Sequence, residues 1–335
     1  MIHHTKTTIL TLIFLLIISC QEKDTYVEEF DVVRNDSTEL IWHEEQNKRT
    51  YTLMKKNYFW TEHLKDSALY DFSLEPGLFF ESMLVEQDRF SYCYVNNEYI
   101  LSTRGTNLNE TVSLDSIYVI ENRRIGYFVY DEFDTEADIT DIILKFGDNH
   151  LDDLIVDLRS NPGGLIHTCR HLASLIVPQE YLGQIFATYR YNPLRTKQLY
   201  ERTGSSIRYE YLNIDENTEQ RNLDLNRLFC LVNRNSASCS ELLINSLRPY
   251  MEIIVIGDTT CGKDVGMEVY SNPQYKYVLQ PIVFRTYNAL GDSVPMTGIE
   301  PDIYVKSNYL QLGDVNESYL KTALNYIINN GSYEK

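Results

Sequence analysis

The chain has 335 residues, of which 43% are hydrophobic, so it is long enough for one large or two modest domains with a substantial core. A formal net charge of −18 excludes nucleic acid as an expected partner, because a phosphate backbone would be repelled. None of the six cysteines forms a paired C-x-x-C spacing, which excludes the usual structural zinc site. We see no internal repeat and no low-complexity tract.

The N-terminal residues 1–20 have the proportions of a secretory signal peptide, because an apolar run from Ile9 to Ile18 is too short to span a membrane comfortably. The ending Ile-Ile-Ser-Cys resembles a bacterial lipobox. This resemblance implies that Cys20 is lipidated and that the chain is an outer-membrane lipoprotein of the bacterial cell envelope, facing the periplasm or the surface. An ordinary signal peptide that contains a cysteine is the alternative. If the chain is exported, the sequence leaves open whether Cys261 forms a disulfide.

Four further regions follow in chain order. Residues 21–49 are predicted to be an acidic tether, because they lack clear periodicity. Residues 50–97 show helical patterns (LMKKNYFWTEHL, then PGLFFESML) and end in EQDRFSY, which predicts a small helical region. Residues 98–120 form a short connection. Residues 121–335 alternate strand and helix patterns and are predicted to form the main α/β domain.

Within the main domain, the patterns predict a strand over 125–133, an amphipathic helix over 135–146 and a helix from Leu165 to Val177. MEVYS and YVLQPIVFRTYN predict the strands of a hairpin, and a last helix is expected over about 318–329. The polar segment 190–225 is long enough to line or cover a cleft. His167 and His171 are four residues apart, a spacing that can chelate a metal, but no third ligand stands nearby, which favours a solvated helix face.

One stretch predicts chemistry. An apolar strand from Leu228 to Val232 leads into a helix that begins at Ser238, and a second strand, Ile253 to Ile256, leads to a loop that carries Lys263. A right-handed strand–helix–strand crossover would bring Ser238 and Lys263 to the same sheet edge. Serine needs an adjacent base, and a desolvated, neutral lysine can be that base. The alternative is ordinary: Ser238-x-x-Glu241 is a capping box, and a loop lysine is usually solvated.

A second motif is the strand DLIVDLRSNPGG over 153–164, which ends in Gly163 and Gly164 before a helix. Glycines permit tight turns and close approach of another chain segment. Backbone N–H groups at the start of a helix can also stabilise an oxyanion.

These motifs, with the late segment TGIEPDI, together resemble the C-terminal processing (tail-specific) serine proteases. The resemblance covers about 120–303, and more weakly 50–95. It implies a ClpP/crotonase-like α/β core of stacked βαβ units, protein or peptide substrates, and neither a metal nor a cofactor. By position in the motifs, Ser238 would be the nucleophile and Lys263 the general base. The N–H of Cys239, with that of Gly163 or Gly164, would form the oxyanion hole.

Two departures from the family pattern leave alternatives open. Many members place a glutamine four residues after the lysine, where this chain has Met267, and Gln274 and Gln280 are the nearby glutamines. The connection over 98–120 is too short for the PDZ domain that members usually carry. The alternative function is therefore a catalytically silent homologue that binds peptides or glycans at the envelope. A Cys239 nucleophile and a crotonase-like enzyme with an acyl-CoA site are weaker alternatives.

Overall fold

The computed structural model describes residues 37–95, 111–134, 137–214, 222–272, 277–329 and 331. The predicted signal peptide with Cys20, the first part of the tether (21–36), most of the short connection and Gln274 lie outside the described residues. None of the described helices is long and apolar enough to cross a membrane.

Seven α-helices and thirteen strands occur in the described ranges. The helices are α1 (Ser37–Asn57), α2 (Pro76–Ser82), α3 (Ala137–Asp148), α4 (Ile166–Ile176), α5 (Pro193–Thr203), α6 (Cys239–Leu247) and α7 (Ser318–Ile328). The strands are β1 (Tyr92–Val95), β2 (Val112–Ile120), β3 (Arg123–Tyr130), β4 (Asp153–Asp157), β5 (Ile185–Tyr191), β6 (Arg208–Tyr211), β7 (Arg227–Val232), β8 (Glu252–Gly257), β9 (Val265–Met267), β10 (Tyr270–Asn272), β11 (Tyr277–Gln280), β12 (Ile282–Tyr287) and β13 (Ile303–Tyr304). Short 3₁₀ helices occur at Thr61–His63, Ser67–Leu69 and Gln179–Tyr181.

A six-stranded sheet in the order β13-β8-β7-β4-β3-β2 forms the centre of the molecule. Its strands are parallel except β2, which pairs antiparallel with β3 at one edge. The parallel strands are nearly continuous apolar runs because both sheet faces are covered. Helices α3, α4 and α6 pack on one face, whereas α7 covers the other through buried side chains including Leu320, Leu324 and Ile327. The predicted α/β fold of stacked crossover units is therefore present.

The other strands form two antiparallel sheets, β6-β5-β12-β9 and β1-β11-β10. The predicted strand 277–288 is divided, since β11 and β12 lie in different sheets on either side of Pro281. Proline lacks an N–H and interrupts a ladder, which explains the division. The described part of the polar segment 190–225 contains α5 and β6.

The N-terminal region differs from the prediction at its start. Residues 37–49, expected to belong to the tether, are helical and form the first half of α1. The buried face of this half is polar, so no hydrophobic periodicity marks it in the sequence: His43, Gln46 and Asn47 are all buried. The Asn47 side-chain amide donates to the carbonyls of Phe72 (2.9 Å) and Leu74 (2.7 Å), which fixes α1 against the loop before α2.

Candidate active site

The crossover predicted around Ser238 is present. Strands β7 and β8 are parallel neighbours joined by α6, and Ser238 is the residue that precedes this helix. Its backbone angles are φ 55° and ψ −111°, a conformation that costs a non-glycine residue free energy. Such strain at a turn into a helix is typical of functional sites, because the turn presents the side chain to a cleft.

The loop that follows β4 lies directly against this turn. A Cβ atom on Gly163 would lie 2.7 Å from the Cβ of Ser238, so only glycine allows the two segments to approach this closely. Asn161 is fully buried, and its carbonyl accepts from the Ala237 N–H at 3.2 Å and the Ser240 hydroxyl at 2.9 Å. The two sequence motifs thus form one hydrogen-bonded unit at the carboxyl edge of the central sheet.

This unit distinguishes between the two glycines predicted for the oxyanion hole. The Gly163 N–H donates to Asn161 Oδ1 at 2.9 Å, so this donor is already used. Gly164 is exposed, and its N–H has no acceptor among the described residues. Cys239 opens α6, where a backbone N–H has no partner within the helix. Gly164 and Cys239 are therefore the donors available to a developing oxyanion.

Glu241 joins the start of α6 to the loop that carries Lys263. Its carboxylate is fully buried and accepts from the backbone N–H groups of Ser238 (3.0 Å), Gly262 (2.7 Å) and Lys263 (2.8 Å) and from the Thr260 hydroxyl. Burial raises the pKa of this carboxyl group, and the four hydrogen bonds oppose that shift. The capping box predicted from sequence therefore does more than cap the start of α6, because Glu241 also holds the backbone of the loop that carries Lys263.

Lys263 is half-buried, and its amine lies 5.3 Å from the centroid of the Phe90 ring. Desolvation lowers the pKa of Lys263, which increases the neutral fraction that can accept a proton. Arg89 holds the same loop: its Nη2 donates to the carbonyls of Gly262 at 2.9 Å and Met296 at 3.0 Å. Sequence reasoning missed both contacts, although the segment EQDRFSY that supplies Arg89 and Phe90 had marked the end of the helical region.

Ser238 and Lys263 line one cleft of about 590 Å³ together with Gly164 and Cys239. Among the described residues, no hydrogen bond joins the Ser238 hydroxyl to the Lys263 amine. Both residues thus line the same cleft without a hydrogen bond between their side chains, an arrangement that apo active sites often show before substrate tightens it.

Two residues near the lysine bear on how it is oriented. Met267 lies on β9 and lines the cleft, so the position where the family resemblance predicts glutamine offers only a thioether. Gln280 lines the same cleft, and its Oε1 accepts from the Tyr92 hydroxyl. Gln280 thus places a side-chain amide in the cleft, which the sequence did not assign.

The remaining candidates are accounted for by their surroundings. Cys239 is 1% exposed, and its thiol donates to the Gly164 carbonyl at 3.1 Å, so the side chain packs inward. His171 is buried with its Nε2 3.1 Å from the Thr140 hydroxyl, whereas His167 is exposed, so the predicted solvated face is wrong for His171. No cluster of three or more metal-ligating side chains occurs in the described ranges.

Comparisons with known sequences assign most of the chain to one family. Residues 124–305 match the family model of peptidase family S41, and residues 45–92 match the S41 N-terminal domain. A probable CtpA-like serine protease of Staphylococcus aureus is 24% identical over 200 residues, covering 58% of this chain and 36% of that protein. A tail-specific protease of Haemophilus influenzae is 26% identical over 187 residues, covering 54% of this chain and 24% of that protein. The chain thus spans about a third or less of the length of these relatives.

Solved structures share the fold. A crystal structure assigned to the S41 proteases, from Bacteroides fragilis, matches with a TM-score of 0.73 at 18% identity, covering 85% of this chain and 98% of that one. A lipoprotein from Streptococcus agalactiae matches with a TM-score of 0.54 at 11% identity, covering 83% and 95%. The S41 model spans more than half of the sequence and includes both motifs of the cleft. The chain therefore belongs to peptidase family S41.

Proposed function

We propose that the chain is a serine endopeptidase that hydrolyses peptide bonds of envelope or exported proteins through a Ser238–Lys263 dyad and an acyl-enzyme. One observation carries this proposal: a strained serine, a desolvated lysine and two unused backbone donors line the same cleft. The name of the Staphylococcus relative supports serine-type proteolysis, and that of the Haemophilus relative supports proteolysis.

In this proposal, Ser238 Oγ attacks the scissile carbonyl carbon while neutral Lys263 accepts the hydroxyl proton. The carbonyl electrons move onto oxygen, which the N–H groups of Gly164 and Cys239 stabilise. The protonated lysine then gives its proton to the leaving amine as the C–N bond breaks. Water attacks the resulting ester with Lys263 as base, which releases the acid and restores Ser238.

The test is cleavage of unfolded protein substrates by residues 21–335, compared with Ser238→Ala and Lys263→Ala. Lys321→Ala is the matched control, because Lys321 is exposed on α7. We expect both site variants to lose at least about a hundredfold in kcat/KM and the control to retain wild-type activity. Equal activity of wild type and both site variants would contradict the dyad.

The second candidate is a catalytically silent homologue that binds peptides or glycans. Met267 favours it, since its thioether is only a weak hydrogen-bond acceptor for the lysine. Its test is Met267→Gln beside Met267→Leu. If wild type and both variants cleave no substrate but still bind unfolded peptides or glycans, the proposal of a catalytically silent binding protein replaces the peptidase proposal.

We also propose that a lipid on Cys20 tethers the protein to the envelope, supported by the Ile-Ile-Ser-Cys sequence. The full chain expressed in a bacterial host with the lipoprotein pathway should partition into detergent, whereas Cys20→Ala should partition into the aqueous phase. Identical partitioning of the two proteins would reject the anchor.

A further inference from the structure

The cleft that contains Ser238 is lined by two carboxylates, and both are already paired. Arg208 donates to Glu210 Oε1 through Nε at 3.1 Å and Nη2 at 2.6 Å. Glu268 lies 2.8 Å from Nη2 of Arg195 and also accepts from the Tyr270 hydroxyl at 2.6 Å. These acidic side chains are therefore neutralised within the protein.

Arg170 lines the same cleft and differs from those arginines in its pairing. Its Nε atom is buried and has no hydrogen-bond partner, and no acidic side chain of the described ranges pairs with its guanidinium. Its backbone carbonyl accepts from the Ser174 hydroxyl at 2.8 Å, and this bond leaves the guanidinium without a partner among the described residues. Because Nε itself is buried, a ligand in the cleft would meet the Nη groups of this guanidinium, which no described acidic side chain neutralises.

The acidic composition of the chain makes an unpaired arginine unexpected. Acidic residues outnumber basic ones, 48 to 30, so potential partners for an arginine are abundant. Arg170 lies on α4, the helix that begins just after Gly164, and its guanidinium nevertheless has no ion-pair partner among the described residues. Among the described residues that line the cleft, the Arg170 guanidinium is thus without an acidic partner, although the protein as a whole is strongly acidic.

We propose that Arg170 binds a carboxylate of the peptide held in the Ser238 cleft, so that the site prefers peptides that place a carboxylate at this position. The inference rests on the proposed peptidase function. Guanidinium is suited to this role because it presents a planar fork of donors that matches a carboxylate. The carboxylate has two sources, an Asp or Glu side chain or the terminal carboxylate of the substrate.

The experiment compares four peptides of one length: a central Glu or Gln, each with a free or an amidated C-terminus. Steady-state kinetics are measured for wild type, Arg170→Gln and Arg170→Lys. Arg202→Gln is the charge-matched control, because Arg202 is exposed on α5 and is not among the residues that line the cleft. For peptides with the recognised carboxylate, Arg170→Gln should raise KM about tenfold or more with little change in kcat.

The peptide arms identify the carboxylate source. Loss of preference for Glu over Gln in Arg170→Gln assigns the side chain, and loss of preference for the free over the amidated end assigns the terminus. Arg170→Lys should keep part of the preference, since it keeps the charge without the fork. If Arg170→Gln slows all four peptides equally, or wild type has no preference, the proposal is overturned.

Failure of the peptidase proposal is distinguished by equilibrium binding of the four peptides to Ser238→Ala and to Ser238→Ala/Arg170→Gln. If wild type cleaves no peptide but the single variant prefers the carboxylate forms and the double variant does not, the subsite stands without catalysis. If neither variant shows a preference in binding, the subsite is rejected whatever the activity.

Discussion

A single carboxylate oxygen, Oε2 of Glu241, accepts the backbone N–H of Lys263 at 2.8 Å and that of Ser238 at 3.0 Å. The proposed base and nucleophile are separated along the chain by a helix and a strand. Because both backbone N–H groups donate to the same oxygen, Glu241 fixes the two backbones relative to each other. The arrangement explains why a glutamate without a paired cation is kept in a fully buried position.

Glu241→Gln should reduce both stability and activity. The amide retains one acceptor oxygen, but its NH₂ group would face two of the donors that now converge on the carboxylate. We expect kcat/KM to fall at least about tenfold and the unfolding midpoint to drop by several degrees. Thermal unfolding and peptide kinetics check this, with Glu252→Gln at an exposed position as control. A variant with wild-type melting and kinetics would show that Glu241 has no positioning role.

Lys263→Met should abolish cleavage yet stabilise the protein near pH 7. Desolvation lowers the pKa of Lys263, so the folded state disfavours the ammonium form that the unfolded chain carries. A lysine whose folded pKa is depressed contributes most stability above its unfolded pKa, about 10.4, and loses it as pH falls through the folded pKa. The stability advantage of Lys263→Met should therefore shrink as pH rises from 7 towards 10.

The measurement is the unfolding midpoint of wild type and Lys263→Met against pH, with Lys321→Met as the exposed control. Wild-type kcat/KM should rise with pH through a midpoint below 10.5. Parallel stability curves for the wild type and Lys263→Met would mean that the lysine is not desolvated.

Phe90→Leu should move the pH–activity profile to higher pH. The Phe90 ring lies beside the Lys263 amine, and its loss would admit water, weakening the desolvation that is the main cause of the lowered pKa. We expect Phe90→Tyr to keep the wild-type profile, because it retains the ring. If Phe90→Leu lowers activity at every pH but leaves the midpoint of the pH–activity profile unchanged, Phe90 has a purely structural role.

Cys239→Ala should cleave peptides within about threefold of wild type, since the proposed oxyanion hole uses the backbone N–H of this residue and not its thiol. Its side chain is buried against the Gly164 carbonyl. Activity of the variant and its resistance to thiol-alkylating reagents are the measurements. Loss of cleavage comparable to that of Ser238→Ala would instead make Cys239 the nucleophile.

Much of the catalytic region could be predicted because its signals are local. Apolar runs and a helix start bracket Ser238, and the two glycines follow a buried strand, so periodicity and turn chemistry alone place them. Parallel strand order then brings both loops to one sheet edge, as the structure shows for β4, β7 and β8. The helical region before the main domain was also predicted, but its first helix begins earlier than the pattern indicated.

The early start of α1, which the sequence pattern did not predict, has a physical cause. The buried face of residues 37–49 is formed by polar side chains whose hydrogen bonds are supplied by distant segments, such as the Phe72 carbonyl that accepts from Asn47. Hydrophobic periodicity detects only faces that are buried as apolar surface. The division of the strand at Pro281, by contrast, had a local signal in the missing N–H of proline.

The sequence by itself determined the order of the elements, the crossover that brings the loops of Ser238 and Lys263 to one sheet edge, and the residue types available at these loops. Only the tertiary structure decided which side chains complete the site. The Asn161 side chain accepts the Gly163 N–H, the Phe90 ring lies beside the Lys263 amine, and the Arg170 guanidinium has no acidic partner among the described residues. These relationships join residues far apart along the chain, and their hydrogen bonds and desolvation exist only after the sheets and helices have packed.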